Sequence, residues 1–415
     1  MRMGKAYFSF INLVLAYVKI HLTKHIKENK IILSKFKEFY MKKNKEKKIK
    51  PLWLKWIFAL SPLFIALILY FVMPHFPIVA EYVFAQVIYR IIAFPIEWII
   101  SIFPFSLTEL LVVLAIPALI TVLVIFIRKI IKSENRGKIL EKASRFICFA
   151  LSMVFFVFMM TDGVYFSRLS AGELMELPNR KYTKEELYIV VSDLASKASE
   201  IRETLPEDEN GCAKLTVSLD DILFLADDAY DNINDEYSFL QTGVWRVKPV
   251  MLSHLWSYTG YTGVYCPWLL ESSVNIDTPV YDIPFTATHE IAHTMGFMHE
   301  KECNFLSFIA CTTSDLPDYI YSGYLQAYIY SANALYAADY NMWADAFTKN
   351  CSEKFINDLN NHNNYWASFK GEVMEKAEDF NDSFIKFNGD KEGVLSYDLV
   401  VELILRYYDK MGYFN

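Results

Sequence analysis

The sequence predicts a mainly α protein in two parts: N-terminal transmembrane helices, then an α-rich (α+β) domain with a small edge sheet. Three observations predict it. Of 415 residues, 53% are hydrophobic although the net charge is -7, so apolar and charged residues must be segregated along the chain. They are: residues 1–50 carry 14 Lys or Arg against three Glu, and residues 166–415 carry 18 basic against 39 acidic residues. Between them lie apolar runs of about 20 residues, the length a helix needs to cross hydrocarbon.

Residues 1–50 read as a basic cytoplasmic segment. Within it Ala6–Ile20 is apolar but interrupted, and no small-residue cleavage site follows. An amphipathic helix on the cytoplasmic face is therefore expected rather than a signal peptide. A membrane domain follows over 51–168, with spans near 53–73 (Trp53–Met73), 107–127 (Leu107–Ile127) and 146–166 (Phe146–Phe166). Their charges, Lys55, Glu109 and Asp162, fall near span ends. The stretch 82–105 contains Arg90, Pro95, Glu97 and Pro104, which point to an interfacial or re-entrant element. Arg128–Arg145 holds seven basic residues against two acidic. Three crossings, the preferred count, keep it on the cytoplasmic side with residues 1–50 and place the domain 169–415 outside the cytoplasm, whereas a fourth crossing would put Arg128–Arg145 outside and the large domain inside.

The acidic balance of that domain excludes nucleic acid as a partner, because phosphate binding needs concentrated positive charge. The lipid bilayer is the partner that the basic flank and the spans imply. Six scattered cysteines without a CxxC pair support neither a cysteine zinc knuckle nor a disulfide framework. Thr183-Lys-Glu-Glu186 has the spacing of a capping box opening a helix to about Thr204. A further helix is expected over Leu219–Asn232. Short extended segments follow at Gly263–Cys266 and Ser272–Ile276. The remaining helices are expected near Pro284–Met295, Glu300–Ala310, Asp318–Tyr340, Ser352–Leu359, Tyr365–Phe384 and Tyr397–Lys410.

Five of the eight histidines lie in this domain, three of them within 11 residues: His289-Glu290-Ile-Ala-His293-Thr-Met-Gly296-Phe-Met-His299. On a helix, positions i and i+4 share a face, so His289 and His293 aim at one point, and two imidazoles there suit Zn2+. Glu290, one residue on, can serve as general base on metal-activated water without being a ligand. A chance HExxH usually rides an exposed helix. Here Pro284 can start the helix, Ala287 and Ala292 keep it slim, and Gly296 stops it. The third ligand is open between Glu300, His299 and Glu302. Glu300 comes first, because Asn304 at i+4 can support a ligand from behind. His299 would complete the HExxHxxGxxH pattern of metzincins, but no convincing Met-turn follows. Among softer assignments, Ser272–Ile276 could be the edge strand that aligns a peptide. Tyr321 or Tyr324 could donate to the oxyanion, and Glu271 could line the cleft. Packing is the commoner role for any one of 27 tyrosines.

The run from Gly260 through Tyr324 resembles a family of bacterial membrane proteins grouped as a domain of unknown function, with a few N-terminal spans and an outer HExxH domain. The resemblance rests on GYTGVYCPWLLESSVN, PFTATHEIAHTMGF, ECNF and YSGYL, and more weakly on GVLSYDLVVEL. Where this chain has ECNF the family usually reads Glu-Ala-Asn-Phe, with another acid two residues before it, as Glu300 and Glu302 stand here. Histidine is not typical of position 299, which weakens the metzincin pattern. The resemblance implies a zincin-like, gluzincin-like zinc-peptidase domain and names no substrate.

The expected function is that of a multi-pass, membrane-anchored zinc metallopeptidase hydrolysing peptide or envelope-protein substrates, its C-terminal domain outside the cytoplasm. The alternative is a non-catalytic zinc-containing envelope sensor or binding domain. A sensor predicts a cytoplasmic output domain, for which the 50 N-terminal residues are short and charged. A purely binding site would close its zinc with four ligands and leave Glu290 without a role. Intramembrane proteolysis is disfavoured, because His289 lies about 120 residues beyond Phe166 in polar sequence.

Overall fold

Long apolar runs become helices because a helix satisfies every backbone polar group internally. Among the described residues four are long and apolar enough to cross a membrane: α1 (Leu52–Val72, extended by a 3-10 turn to His75), α2 (Pro77–Ser101), α3 (Leu107–Lys132) and α4 (Arg136–Thr161). The computed structural model describes residues 51–241, 243, 246–388 and 399–414. The expected basic segment 1–50, with its amphipathic Ala6–Ile20, lies outside the described residues. The chain divides into two compact units, Met1–Phe58 and Ala59–Asn415. In the first, the described residues form the opening turns of α1.

Helix α2 covers most of the stretch read as interfacial or re-entrant, and Pro95 sits inside it without ending it. Glu81, Ala85, Tyr89, Ala93 and Glu97, each four residues apart, are all buried. The helix is π-wound over Ala80–Tyr89 and α-wound from Arg90. Four residues make slightly more than one α-turn and slightly less than one π-turn, so the opposite drifts cancel and the stripe stays on one face. That face lies on the acidic domain. Glu81 accepts from Arg168 Nε at 2.7 Å and Nη2 at 3.0 Å, and the Tyr89 and Tyr265 hydroxyls are 2.9 Å apart. The opposite face exposes Tyr82, Val83, Val87, Ile91 and Phe94.

The start of α3 is held by carboxylates, as the exposed N–H groups of a helix N-terminus require. Ser106 caps it, and Glu271 accepts from the Leu107 and Thr108 amides at 3.0 and 2.6 Å. Glu271 also pairs with buried Lys248 at 2.9 Å. It therefore does not line a cleft, as the sequence suggested, but fastens the domain to α3. Glu109 does the same from the other side, accepting from the Met251 and Leu252 amides at 2.7 and 2.8 Å.

The domain itself is built from α5 (Lys184–Arg202), a small sheet, then α6 (Ile283–Thr294), α7 (Glu300–Thr313), α8 (Pro317–Ala338), α9 (Tyr340–Asn350), α10 (Glu353–Phe369), α11 (Glu372–Phe387) and α12 (Val400–Lys410). The predicted capping box of Thr183 and Glu186 opens α5. Leu194 of α5, Leu325 and Leu335 of α8, Phe305 and Ile309 of α7, and Ile291 of α6 share one core. In the sheet, β1 (Lys248–Pro249) runs parallel to β3 (Glu271–Val274), and β2 (Gly263–Cys266) runs antiparallel on its other side. β3 is thus central, not the edge strand expected near Ser272–Ile276. The edge strand beside α6 is β2.

Other boundaries differ from expectation too: the expected Tyr365–Phe384 helix is divided at Lys370–Gly371, its first residues closing α10 and the rest forming α11. Asp339 takes an extended conformation and caps Asn341 and Met342, ending α8 and starting α9, which the sequence reading missed. The expected Leu219–Asn232 helix breaks into Leu219–Phe224, a 3-10 turn at Asp228–Tyr230 and Asp231–Asn234, and the buried Tyr230 hydroxyl donates to Thr288 O at 2.9 Å. The Asn-rich run after Leu359 stays helical in α10, because Asn361 and His362 find partners in Tyr281 and Asp282.

Arg202 and Asp358 form a fully buried pair between α5 and α10, and the Tyr321 hydroxyl donates to the same carboxylate. Tyr321 is therefore a packing residue and not an oxyanion donor. Half-buried Tyr324 packs edge-on against Phe308 and lies beside Lys197. Removing one partner of a buried pair strands the other charge, so Asp358→Ala is expected to destabilise the domain by about 3–5 kcal/mol, measurable by denaturant unfolding.

Candidate metal centre

Pro284 stands in the first turn of α6, fully buried Ala287 and Ala292 let it enter the core, and Gly296, at φ 82°, turns the chain out of it. The turn delivers Glu300 to the first position of α7, opposite the two histidines. Glu300 Oε2 lies 3.1 Å from His289 Nε2, and Glu300 Oε1 lies 3.8 Å from His293 Nε2. Ligands about 2.1 Å from a tetrahedral ion stand about 3.4 Å apart, so these separations bracket that spacing.

The other ring nitrogens are committed. His293 Nδ1 donates to the Phe297 carbonyl at 2.8 Å, and His289 Nδ1 donates to Asn304 Oδ1 at 2.8 Å. Carbonyl oxygens only accept, which fixes the proton on Nδ1 and turns each Nε2 lone pair towards Glu300. Cys303 Sγ also approaches His293, but at 3.4 Å from Nδ1, the occupied nitrogen, and it donates to Phe297 O at 3.1 Å. His289, His293 and Cys303 do bring ligating atoms within 4.8 Å of one another. Using Cys303 would require His293 to give up its carbonyl, and burial pushes that thiol well above its ordinary pKa. Glu300 is the ligand-like third group.

Charge agrees with this geometry. Burial opposes ionisation of Glu300, yet its contacts with His289, and the charge of His293 and His299, hold it down at about 2. Burial works against charge on His289 too, but Glu300 raises its pKa, whereas burial holds His293 down to about 4. The His289–Glu300 pair thus favours positive charge at the point where a cation can sit. Burial pushes Glu290 up to about 8, and its Oε2 is buried without a hydrogen-bond partner among the described residues. An orphaned carboxylate beside two directed imidazoles and a second carboxylate fits a divalent ion with an adjacent base.

The other candidates lie elsewhere. His299 Nε2 is 3.1 Å from the Phe166 carbonyl and its ring meets Phe166 edge-on. Glu302 is buried, accepting from the Ala171 amide at 3.3 Å.

The centre opens into a cleft of about 530 Å³ whose walls include β2, Gln326 and Tyr330 of α8, His362 and Trp366 of α10, and Phe380 and Phe384 of α11. Tyr265 stacks on His293 with centroids 6.0 Å apart. Gly263 is required by close approach, since a Cβ there would run into the Glu290 carboxylate. Gly263→Ala is accordingly expected to retain bound metal and to lower turnover by at least about 10-fold through displacement of the base, checked by metal analysis beside steady-state kinetics. The sequence reading missed His362. Its Nδ1 is 2.8 Å from Asp282 Oδ2, and Gln326 donates to Asp282 Oδ1 at 2.8 Å. Burial opposes charge on His362, but Asp282 raises its pKa. A lone histidine in an asparagine run that nevertheless stays helical was the available signal.

Fold and site together define a class: a mainly helical protein with several apolar N-terminal helices, a three-stranded sheet and an HExxH helix on a cleft. The chain belongs to the family described as Protein of unknown function (DUF3810), whose model matches residues 84–405, from within α2 into α12. No curated protein and no solved structure matches it.

Proposed function

We propose that the chain is a membrane-anchored zinc metallopeptidase in which His289, His293 and Glu300 hold the metal and Glu290 is the general base. The supporting observation is the commitment of both Nδ1 atoms to acceptors, which directs both Nε2 atoms at one carboxylate. Zinc held there would supply Lewis acidity towards water and the substrate carbonyl. Glu290 takes the proton of the attacking water and returns it to the leaving nitrogen as the C–N bond breaks. His362, oriented by Asp282, and Tyr330 bring N–H and O–H donors to the same cleft, where charge develops on the carbonyl oxygen. An extended peptide can add to β2, the edge strand that lines the cleft.

The anchoring follows from the same contacts. Helix α2 is long and apolar enough to cross, but its buried stripe carries Glu81 and Glu97 and meets Arg168 and Tyr265, so we read it as lying along the membrane surface. The crossings are then α1, α3 and α4. From a basic cytoplasmic start, three crossings leave the acidic domain outside, facing peptide or envelope-protein substrates.

The test is metal analysis of the full chain in detergent beside peptide-library hydrolysis. About one zinc per chain is expected, with cleavage lost on chelation and restored by zinc. Folded protein that takes up no divalent metal overturns the proposal.

A further inference from the structure

We infer that the cleft is loaded from the bilayer side, so that its substrates are membrane-anchored polypeptides cut in the short stretch beside the anchor. This rests on the peptidase reading and names its substrate class.

One wall of the cleft is the outer end of a candidate span. Phe158 of α4 lines it, and so do Asp162 and Phe166 just beyond that helix. The same short segment reaches the centre's supports: Phe166 O faces His299, and Arg168 donates to Met295 O at 2.9 Å, immediately after the HExxH helix. The catalytic residues therefore stand at the level where α4 ends.

The rim dips further. Trp268, in the turn after β2, donates from Nε1 to Val154 O at 3.1 Å, while 50% of the residue remains exposed. Val154 lies seven residues before the end of α4, about 10 Å along the helix axis. A tryptophan at that depth suits the headgroup boundary, where an amphipathic ring finds both media. Phe158 packs against both Trp268 and Phe384, with centroids 6.1 and 6.3 Å apart.

Helix α11 closes the same side. Val373, Phe380 and Phe384, at i, i+7 and i+11, form one exposed stripe, and Phe380 is 70% exposed. Phe380 and Phe384 also line the cleft, so apolar side chains run from the outer surface of α4 and α11 into the cleft that holds Glu290, with Asp162 and Asn381 among its other lining residues. A soluble substrate gains nothing from that path. A chain emerging from the bilayer beside α4 enters along it. An extended chain advances about 3.4 Å per residue, and each headgroup layer is about 5–8 Å thick. Cuts are therefore expected within about ten residues of the anchor.

The experiment uses the full chain reconstituted in vesicles of phosphatidylethanolamine with a minority of phosphatidylglycerol. Two probes carry the same randomised peptide stretch, one fused to a transmembrane helix and one free in solution. Products are mapped by mass spectrometry. Anchored peptides are expected to be cut with at least about 10-fold higher kcat/KM, close to the anchor, and Phe380→Asp is expected to raise KM for them by a similar factor. Equal efficiency for both probes, or cuts scattered far from the anchor, overturns the inference and leaves the peptidase assignment standing. If neither probe is cut, that assignment falls. Entry is then decided by a photocrosslinking residue at position 380 in the Glu290→Gln background. Preferential capture of the anchored peptide sustains bilayer-side loading, whereas capture of phospholipid alone, or of both probes equally, overturns it.

Discussion

Glu290→Gln is expected to reduce peptide hydrolysis by about 100- to 10,000-fold while zinc content stays at about one per chain. The amide occupies the volume of the carboxylate, so it fits the space left by Gly263 without moving β2. It cannot accept the proton of the attacking water, and the loss therefore falls on kcat rather than on KM. Burial raises the pKa of the native carboxylate, and one of its oxygens has no hydrogen bond among the described residues, which leaves it open to the proposed proton transfer. A nearby cation favours the ionised, proton-accepting form. Kinetics on a peptide selected from the library, with zinc measured on the same preparation, check the assignment. Full activity in the variant would remove Glu290 from the mechanism. Parallel loss of zinc would make it a ligand instead of a base.

The site was more legible in the sequence than the scaffold around it, and the reason is range. The i, i+4 spacing of His289 and His293, Pro284 in the first turn and Gly296 after the last are local features, and local backbone geometry carries them directly into α6. The capping box at Thr183 and the strand at Gly263–Cys266 were local in the same sense. Glu300 was the first of three candidates from spacing alone, and only the turn at Gly296 distinguishes it from His299 and Glu302. What could not be read was long-range pairing. Glu271 looked like a cleft residue because it is close in sequence to β2, yet its partners are the Leu107 and Thr108 amides of α3. Tyr321 is bound to Asp358, and His362 to Asp282, across gaps that no periodicity reveals. The order of three short strands is likewise set by packing, so β3 was mistaken for an edge.

The charged residues inside the apolar half follow the same logic. Glu81 and Glu109 interrupt sequences that otherwise suit hydrocarbon, and each is matched by a group of the acidic domain: the Arg168 guanidinium for one, two backbone amides for the other. Their burial against protein removes the cost of placing them near lipid. Arg168 also donates to Met295 O and lies 3.9 Å over the Phe297 ring, so the ion pair that fastens α2 also braces the turn delivering Glu300. One guanidinium thus joins α2 to the turn that carries Glu300.

The second large effect is on the metal itself. His289→Ala is expected to abolish stoichiometric zinc and all hydrolysis, because a site of three protein ligands does not hold the ion with two. Glu300→Ala is expected to do nearly the same, whereas His299→Ala and Glu302→Ala should keep zinc, since those side chains face Phe166 O and the Ala171 amide. Glu302→Ala leaves that buried amide unpaired and should show its effect in thermal stability. Asn304→Ala separates support from ligation: Asn304 holds His289 Nδ1 at 2.8 Å, and loss of such a partner typically weakens metal binding about 10- to 100-fold. Zinc titration of the five variants against a competing chelator orders them. The expected order places His289→Ala and Glu300→Ala far weakest, Asn304→Ala between, and the other two near wild type. Loss of zinc from His299→Ala with retention in Glu300→Ala would instead assign the third ligand to the histidine, and would require the turn at Gly296 to close differently around the ion.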